Sequence, residues 1–532
     1  RTARAETLAA RGRGLHCSPP MSRLIRAASA ISGLTLLSRV FGLWRDSLMA
    51  AVLGAGPVSD TFFLAWALPN LMRRLLGEGA LSASFVPAYT AAKKQGDDAA
   101  RTLLSQVLGA VLLLLVPLVV LVVVASVLAT AFGYGRGERT GLLLELNAIL
   151  FPYTIPICVT AMLAGALNTL SVFAMPAAVP VVLNVVWIAA LYLVDPFGIE
   201  SHEGIARFLA VALCLGGFAQ LLFVVGPLKK RRALAMPPLR WPAASSPARA
   251  VFTAMAPTVL GMSLGQISTL IDQGMAYSLL GEGSNTYLYL ANRLLLFPHA
   301  LTALAVVVAV FPKLASDATE VDRNGMRTTL DRAAAAMVFV TVPAAMGLFV
   351  LADDVVTGLF VRRNFDAQDA AATTLTTRYL LLGLPFLGLS QLYARAFYSV
   401  ADTKTPARIA AWLLAVNVAL NALLVVGFDF GTEGLAASTS ACAAFNAAWL
   451  ALRLRRHVQP AAHRRDLWLR NGLATALMCA AIWWLRPEVD GGRTQLLLWR
   501  VLLPITLGIG VYVLVHWLLR SDELSVLRRR RR

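Results

Sequence analysis

Charge is scarce in this sequence. Asp, Glu, Lys and Arg make up 14% of its 532 residues, against about 25% in soluble domains. Hydrophobic residues make up 58%, and the mean hydropathy is +0.67. This excludes an ordinary soluble enzyme and leaves little sequence for a soluble domain. The five cysteines show no CxxC spacing, so neither a zinc site nor a disulfide framework is indicated. The six histidines form no HExxH pattern, and no GxxxxGK[ST] loop occurs, which argues against a metalloprotease and against ATP hydrolysis. Acids are scarcer than bases, 29 against 48, for a net charge of +19. Such a balance can mark a nucleic-acid binder, but that function needs a basic face on a folded surface. Here the bases sit in short loops between apolar spans, so no nucleic-acid partner is expected.

What is present in quantity is long apolar sequence. Spans of roughly 20 residues or more predict an all-α polytopic membrane protein with fourteen transmembrane helices. They fall at 28–53, 59–90, 102–132, 142–167, 171–194, 204–228, 250–280, 285–315, 331–361, 371–400, 405–428, 434–455, 467–486 and 495–519. Arg23 and Arg26 precede the first span, and Lys93, Lys94 and Arg101 follow the second. Lys229 to Arg232, Arg240 and Arg249 follow the sixth. Arg453, Arg455, Arg456, Arg464 and Arg465 follow the twelfth, and Arg528 to Arg532 close the chain. The alternate loops are neutral or acidic. By the positive-inside bias both termini are expected in the cytoplasm.

The two halves repeat. Leu53-Gly54-Ala55-Gly56 with Thr61-Phe62-Phe63 and Leu68-Pro69 recurs as Leu280-Gly281-Glu282-Gly283 with Thr286-Tyr287-Leu288 and Phe297-Pro298. Internal repeats of this size are a transporter signature, with the substrate site between the halves near the midplane. The expected divisions are 21–228 as a first lobe, 229–249 as a basic linker partly on the membrane surface, 250–455 as a second lobe, and 456–532 as two further helices with a basic tail. A central hydrated cavity is expected between the lobes. Residues 1–20, Arg-rich and without an initiator Met, read as an upstream extension, with the working protein beginning at Met21.

The chemistry is concentrated in residues 38–87. Two apolar segments meeting at the turn 53–59 carry Arg39, Arg45 and Asp46 in the first, and Asp60, Asn70, Arg73, Arg74 and Glu78 in the second. A charge at the centre of a membrane helix costs about 2.5–3.5 kcal/mol, so seven facing lipid would cost about 20 kcal/mol. They must face a wet cavity, each other or a charged ligand. Arg39 and Asp46 share a helical face; Asn70, Arg74 and Glu78 form an i, i+4, i+8 row, with Asp60 on the same side. Four arginines against three acids leave positive charge over, and the planar guanidinium suits phosphate. An anionic, phosphorylated substrate is one reading. Structural pairs, Arg39 with Asp46 and Arg74 with Glu78, are the other.

These stretches also carry a resemblance. SRVFGLWRD, SDTFFLAWALPNLMRRLLGEGALSASFVP and FYSVADTKTP resemble motifs of the MurJ (MviN) family of bacterial lipid II flippases, fourteen-helix members of the MATE-like (MOP) exporter superfamily. The resemblance implies a transporter rather than an enzyme. It would carry undecaprenyl-diphosphate-linked peptidoglycan precursor from the inner to the outer leaflet of the cytoplasmic membrane by alternating access. It assigns essential charges to Arg39, Arg45, Asp46, Asp60, Arg73, Arg74 and Glu78. It also assigns an arginine at the position of Arg293, in YLYLANRLLLFP. The implied partners are lipid II and membrane lipids, with a monomeric chain working beside the peptidoglycan-synthesis machinery.

Asp272, Asn417, Asn421 and Thr439 supply a carboxylate, two amides and a hydroxyl. That is a candidate hard-cation site, or hydrogen-bond glue between helices. The resemblance adds that some relatives bind sodium here, with a second acid where this chain has Asn421. No cofactor is expected; Na⁺ or H⁺ is the expected coupling ion. The remaining alternatives are an exporter of another polyprenyl-linked saccharide, a drug antiporter, which four cavity arginines disfavour, and a membrane-embedded glycosyltransferase. The last would need a catalytic acid, and Asp195, Glu200 and Glu203 have no matching partner.

Overall fold

The computed structural model describes residues 21–75, 80–134, 137–319, 324–458, 465–485, 487, 492 and 495–521. Among them no strand occurs beyond one isolated bridge, Arg362 with Phe365. The helices are α1 Met21–Leu53, α2 Pro57–Met72, α3 Ala80–Gln95, α4 Asp97–Ala131, α5 Glu138–Leu150, α6 Thr154–Thr169, α7 Ala174–Leu193, α8 His202–Lys230 and α9 Pro247–Leu279. They continue as α10 Ser284–Leu301, α11 Ala303–Asp317, α12 Asn324–Phe360, α13 Ala367–Leu382, α14 Leu384–Ser399, α15 Lys404–Ala422, α16 Thr432–Leu454, α17 Arg465–Trp484 and α18 Leu503–Leu518. Each expected apolar span falls on one helix or on a broken pair. Among the described residues ten stretches are long and apolar enough to cross a membrane.

The breaks follow from the backbone chemistry of particular residues. The fourth span is cut by a 3₁₀ turn at Phe151–Tyr153 with Pro152 inside it. The eighth divides at Thr302, whose N–H is drawn back to the carbonyl of Pro298. The tenth divides at Gly383, just before Leu384-Pro385. Proline has no N–H to give to the fourth residue before it and disfavours helix in its predecessor. Wider π turns at Leu423–Gly427 and Leu496–Leu502 flank α15 and α18.

Helix packing in a bilayer relies on close contact and hydrogen bonds, because lipid is as apolar as leucine. The first half centres on fully buried Trp187, Tyr153 and Phe62, with Trp66 within 5.0 Å of Tyr153 and 5.3 Å of Trp187, ring to ring. Gly217 of α8 lets the Tyr153 ring approach; an added Cβ would lie 2.6 Å from it. In the same apolar cluster, α17 and α18 pack on α12. There Tyr512 donates to the carbonyl of Phe339 at 2.7 Å and to Asn471 at 2.6 Å. The outward face of α4 is bare Leu and Val, with Leu121 65% exposed. A surface like that is stable against lipid tails and not against water.

Candidate functional site

The turn 54–56 between α1 and α2 and its repeat counterpart between α9 and α10 lie side by side. Gly283 is in the left-handed region at φ 85°, and a Cβ there would lie 3.2 Å from that of Ala55 and 2.6 Å from the Tyr287 hydroxyl. Only glycine fits such a position without strain. Asp60, in the first turn of α2, is fully buried at this junction. Its carboxylate accepts from the Gly283 N–H at 2.8 Å, the Thr286 N–H at 2.8 Å and the Thr286 hydroxyl at 2.8 Å. Its carbonyl accepts from Asn285 at 2.9 Å, and Arg139 lies 3.6 Å away. A side chain of α2 thus caps α10, meeting both its unpaired N–H groups and its positive end. The loop after α12 adds to the seal. Asn364 donates to the Val52 carbonyl at 2.7 Å, closing the end of α1, and Arg363 lies 3.4 Å from Asp195.

Away from that seal the halves part around a cavity of about 780 Å³, within the ~300–1,000 Å³ of ligand sites. Arg39, Arg45, Asp46, Asn70, Arg73 and Arg293 all line it. Arg45 is 4% exposed. It donates to Asp46 through Nε at 2.9 Å and Nη2 at 2.6 Å, and to Asn184 at 2.9 Å. It also lies 4.3 Å over the Trp187 ring. Arg293, from α10, reaches the other Asp46 oxygen at 3.1 Å. Tyr289, one turn before it, accepts from both arginines, at 3.3 Å and 2.9 Å. Its ring stacks on Phe63 of α2 with centroids 3.9 Å apart. Two guanidiniums on one carboxylate leave a net positive charge, in a low-dielectric wall where charge–charge terms are strong. Arg39 bridges α1 and α10 by donating to the Leu296 carbonyl at 3.5 Å.

Three sequence expectations change. Asp60 does not share the cavity with the Asn70 row; it sits at the opposite end, in the seal. Two members of the row, Asn70 and Arg74, bond to different partners. Asn70 accepts from Arg73 at 2.9 Å, and Arg74 turns to Gln266 of α9 at 2.8 Å. The physical reason is that Pro69 interrupts the hydrogen-bond ladder and residues 73–75 widen to a π turn, which rotates the following side chains. Finally, Asp46 pairs with Arg45 and Arg293 rather than with Arg39. The Glu78 expectation lies outside the described residues.

The sequence reading did not single out Tyr289, Trp187, Arg139 or His299, although His299 also lines the cavity. Tyr289 could have been found from its i, i+4 spacing to Arg293. Asn184 is an amide inside an apolar span, which is itself a signal.

Asp272, Asn417, Asn421 and Thr439 do come together. Asp272 of α9 accepts from Asn421 of α15 at 2.6 Å and from Thr439 of α16 at 3.3 Å. Ser268 donates to Asn417 at 3.0 Å, and Ser438 is bonded to Asn421. The polar groups satisfy one another, and the Asn421 amide presents N–H rather than oxygen to the carboxylate. Amide oxygen and nitrogen exchange places by a half-turn. Turned so, Asn421 would face Asp272 and Thr439 with its oxygen in place of its N–H.

Comparison with known proteins agrees with this architecture. The family model described as "Lipid II flippase MurJ" matches residues 49–502. The chain is 34% identical over 481 residues to a probable lipid II flippase MurJ of Vibrio cholerae, covering 87% of this chain and 89% of that protein. It is 34% identical over 446 residues to the lipid II flippase MurJ of Burkholderia cenocepacia, covering 81% and 84%. A solved lipid II flippase MurJ in an inward closed conformation superposes with TM-score 0.76 at 25% identity, covering 93% of this chain and 99% of that one. A multidrug-resistance MATE transporter of the MOP superfamily, inward-facing, gives TM-score 0.63 at 15% identity over 81% and 98%, a likeness of fold. With most of its length matched by the family model and by relatives of this similarity, the chain belongs to the lipid II flippase MurJ family.

Proposed function

We propose that this chain flips lipid II from the inner to the outer leaflet of the bacterial inner membrane, where it is a multi-pass transporter. The observation that carries the reading is the Arg45–Asp46–Arg293 cluster, contributed by both halves and set in the wall of the cavity. Its excess positive charge and planar donors suit a diphosphate. No covalent step is required.

The mechanism is alternating access. Residues 21–228 and 250–455 act as two lobes joined by 229–249, with both termini cytoplasmic. The cavity then opens inward, and the seal of Asp60 and Asn364 lies on the outer side. A headgroup enters between α1 and α10, past Arg39. Its diphosphate competes with Asp46 for Arg45 and Arg293, while Arg73 and Asn70 hold the far wall. Releasing Asp46 removes a bond between the lobes, and the outer seal separates as the inner mouth closes. Each elementary charge carried through a potential of 100 mV contributes about 2.3 kcal/mol. Asp272, Asn417, Asn421 and Thr439 would hold a coupling cation, which supplies a gradient to bias the two states. Arg74, turned toward Gln266, supports the packing of α2 on α9, away from the cargo.

The test is a leaflet-accessibility assay in proteoliposomes loaded with purified lipid II, read by a membrane-impermeant enzyme that cleaves the headgroup. Arg45→Ala and Arg293→Ala are expected to abolish transfer and Cys442→Ala to preserve it. Normal transfer in both arginine variants overturns the site. Polymer formed from lipid II by the purified chain alone would favour a glycosyltransferase.

A further inference from the structure

Between Lys230, which ends α8, and Pro247, which begins α9, the chain runs as an irregular strap. Residues 229–249 carry Lys229, Lys230, Arg231, Arg232, Arg240 and Arg249, and no acid. Met236 is 95% exposed and Leu239 69%, and neither lines the central cavity. The strap is nonetheless fastened. Ser246 donates to Gln106 of α4 at 2.7 Å, and Arg231 to the Leu170 carbonyl at 3.2 Å. Trp241 packs on Phe252 with ring centroids 5.1 Å apart, under the Arg249 guanidinium at 5.4 Å. The Pro238 carbonyl presses on α4 so closely that a Cβ on Gly109 would lie 2.0 Å from its oxygen.

That contact fixes the depth of the strap. Gly109 lies six residues beyond Leu103, where the charge-free run of α4 begins. At ~1.5 Å per residue, Pro238 sits about 9 Å past the start of that run. Interfacial segments bury their apolar face ~5–10 Å into the boundary between headgroups and acyl chains. At the headgroup boundary, each N–H group that is missing or already bonded lowers the cost of irregular backbone. Pro237, Pro238 and Pro242 have none, and the Arg240 N–H donates to the Pro238 carbonyl at 2.8 Å.

We propose that this strap is a docking surface for anionic phospholipid of the cytoplasmic leaflet. Met236 and Leu239 enter the acyl region, and the flanking cations sit on headgroup phosphates. The charge complement favours a lipid surface over a protein partner, because the most exposed side chains between the cations are apolar and at bilayer depth. The inference rests on the inward orientation of this loop and not on the identity of the cargo, so its failure would leave the flippase reading intact.

The test uses the full chain in nanodiscs of phosphatidylcholine alone or with phosphatidylglycerol. Leu239→Cys, in a background with the native cysteines replaced, carries a fluorophore. Met236→Cys serves as a second site should the first variant fold poorly, and a monodisperse elution profile qualifies each. Quenching by spin-labelled lipid, protection from aqueous iodide, and stronger lipid quenching with phosphatidylglycerol are expected. Reversing Lys229, Lys230, Arg231 and Arg232 to Glu should lower phosphatidylglycerol co-purified with the chain at least about five-fold, the attraction of one interfacial cation. Iodide quenching equal to that of a free dye, equal lipid quenching in both bilayers, or co-purified phosphatidylglycerol unchanged by the reversal overturns the proposal.

Discussion

Asp46 of α1 and Arg293 of α10 stand 3.1 Å apart, and this pair joins the two halves of the chain inside the cavity. Each residue has a further partner, so the pair can open without leaving either charge bare. Asp46 retains Arg45 at 2.6 Å, and Arg293 retains the Tyr289 hydroxyl at 2.9 Å.

The two residues should therefore fail differently. Arg293→Ala leaves Asp46 paired and is expected to fold while losing transfer, because the charge-assisted bond it makes to substrate is gone. Asp46→Ala leaves Arg45 buried beside a vacant partner. It should destabilise the chain by about 3–5 kcal/mol, read as a lower thermal unfolding midpoint in detergent.

Asp60→Asn keeps the shape of the cap on α10 and removes its charge. Helix caps contribute about 0.5–2 kcal/mol. The seal should open more often, and Ser59→Cys should react several-fold faster with a water-soluble maleimide in the Asp60→Asn background than alone. Unchanged labelling would contradict the assignment of Asp60 to the seal.

Asn421→Asp adds an oxygen and a negative charge beside Asp272. Transfer by this variant should become dependent on sodium concentration, and Asp272→Asn should remove any cation dependence from the parent chain. Both are read by the same accessibility assay across a sodium series.

Asp402, in the loop after α14, supplies a pH test away from the bilayer. Burial raises its carboxyl, but hydrogen bonds from the Thr405 hydroxyl and N–H, with the charge of His457 3.6 Å away, outweigh this and hold it below its ordinary value of 3.8. A carboxyl lowered by folding contributes stability above its unfolded value and loses it as pH falls through the folded one. The parent chain should lose its stability advantage over Asp402→Asn only below about pH 4, measured by thermal unfolding across acid buffers.

The sequence foretold where helices lie because apolar length is a one-dimensional property, read without knowing any partner. It also marked Arg45, Asp46 and Arg293, whose charges are costly in hydrocarbon wherever they point. It misplaced Asp60, and it did not foresee that Arg74 donates to Gln266. Helical spacing assumes a regular ladder, and Pro69 with the π turn after it breaks that ladder between Asn70 and Arg74. Asp60 was assigned to the cavity because its neighbours in sequence belong there. Its true partners, Gly283 and Thr286, lie more than 220 residues away, a relation that only the packed chain reveals. The repeat did hint at it, since the two turns that meet at the seal are the same motif.

Helix α10 carries two different contacts on one rigid rod. Its first turn is gripped by Asp60, and Arg293, between two and three turns further on, is gripped by Asp46. A cargo phosphate that pulls Arg293 from its carboxylate strains the rod at its clamped tip. Because both contacts belong to one helix, displacement at either end would be felt at the other as leverage along α10.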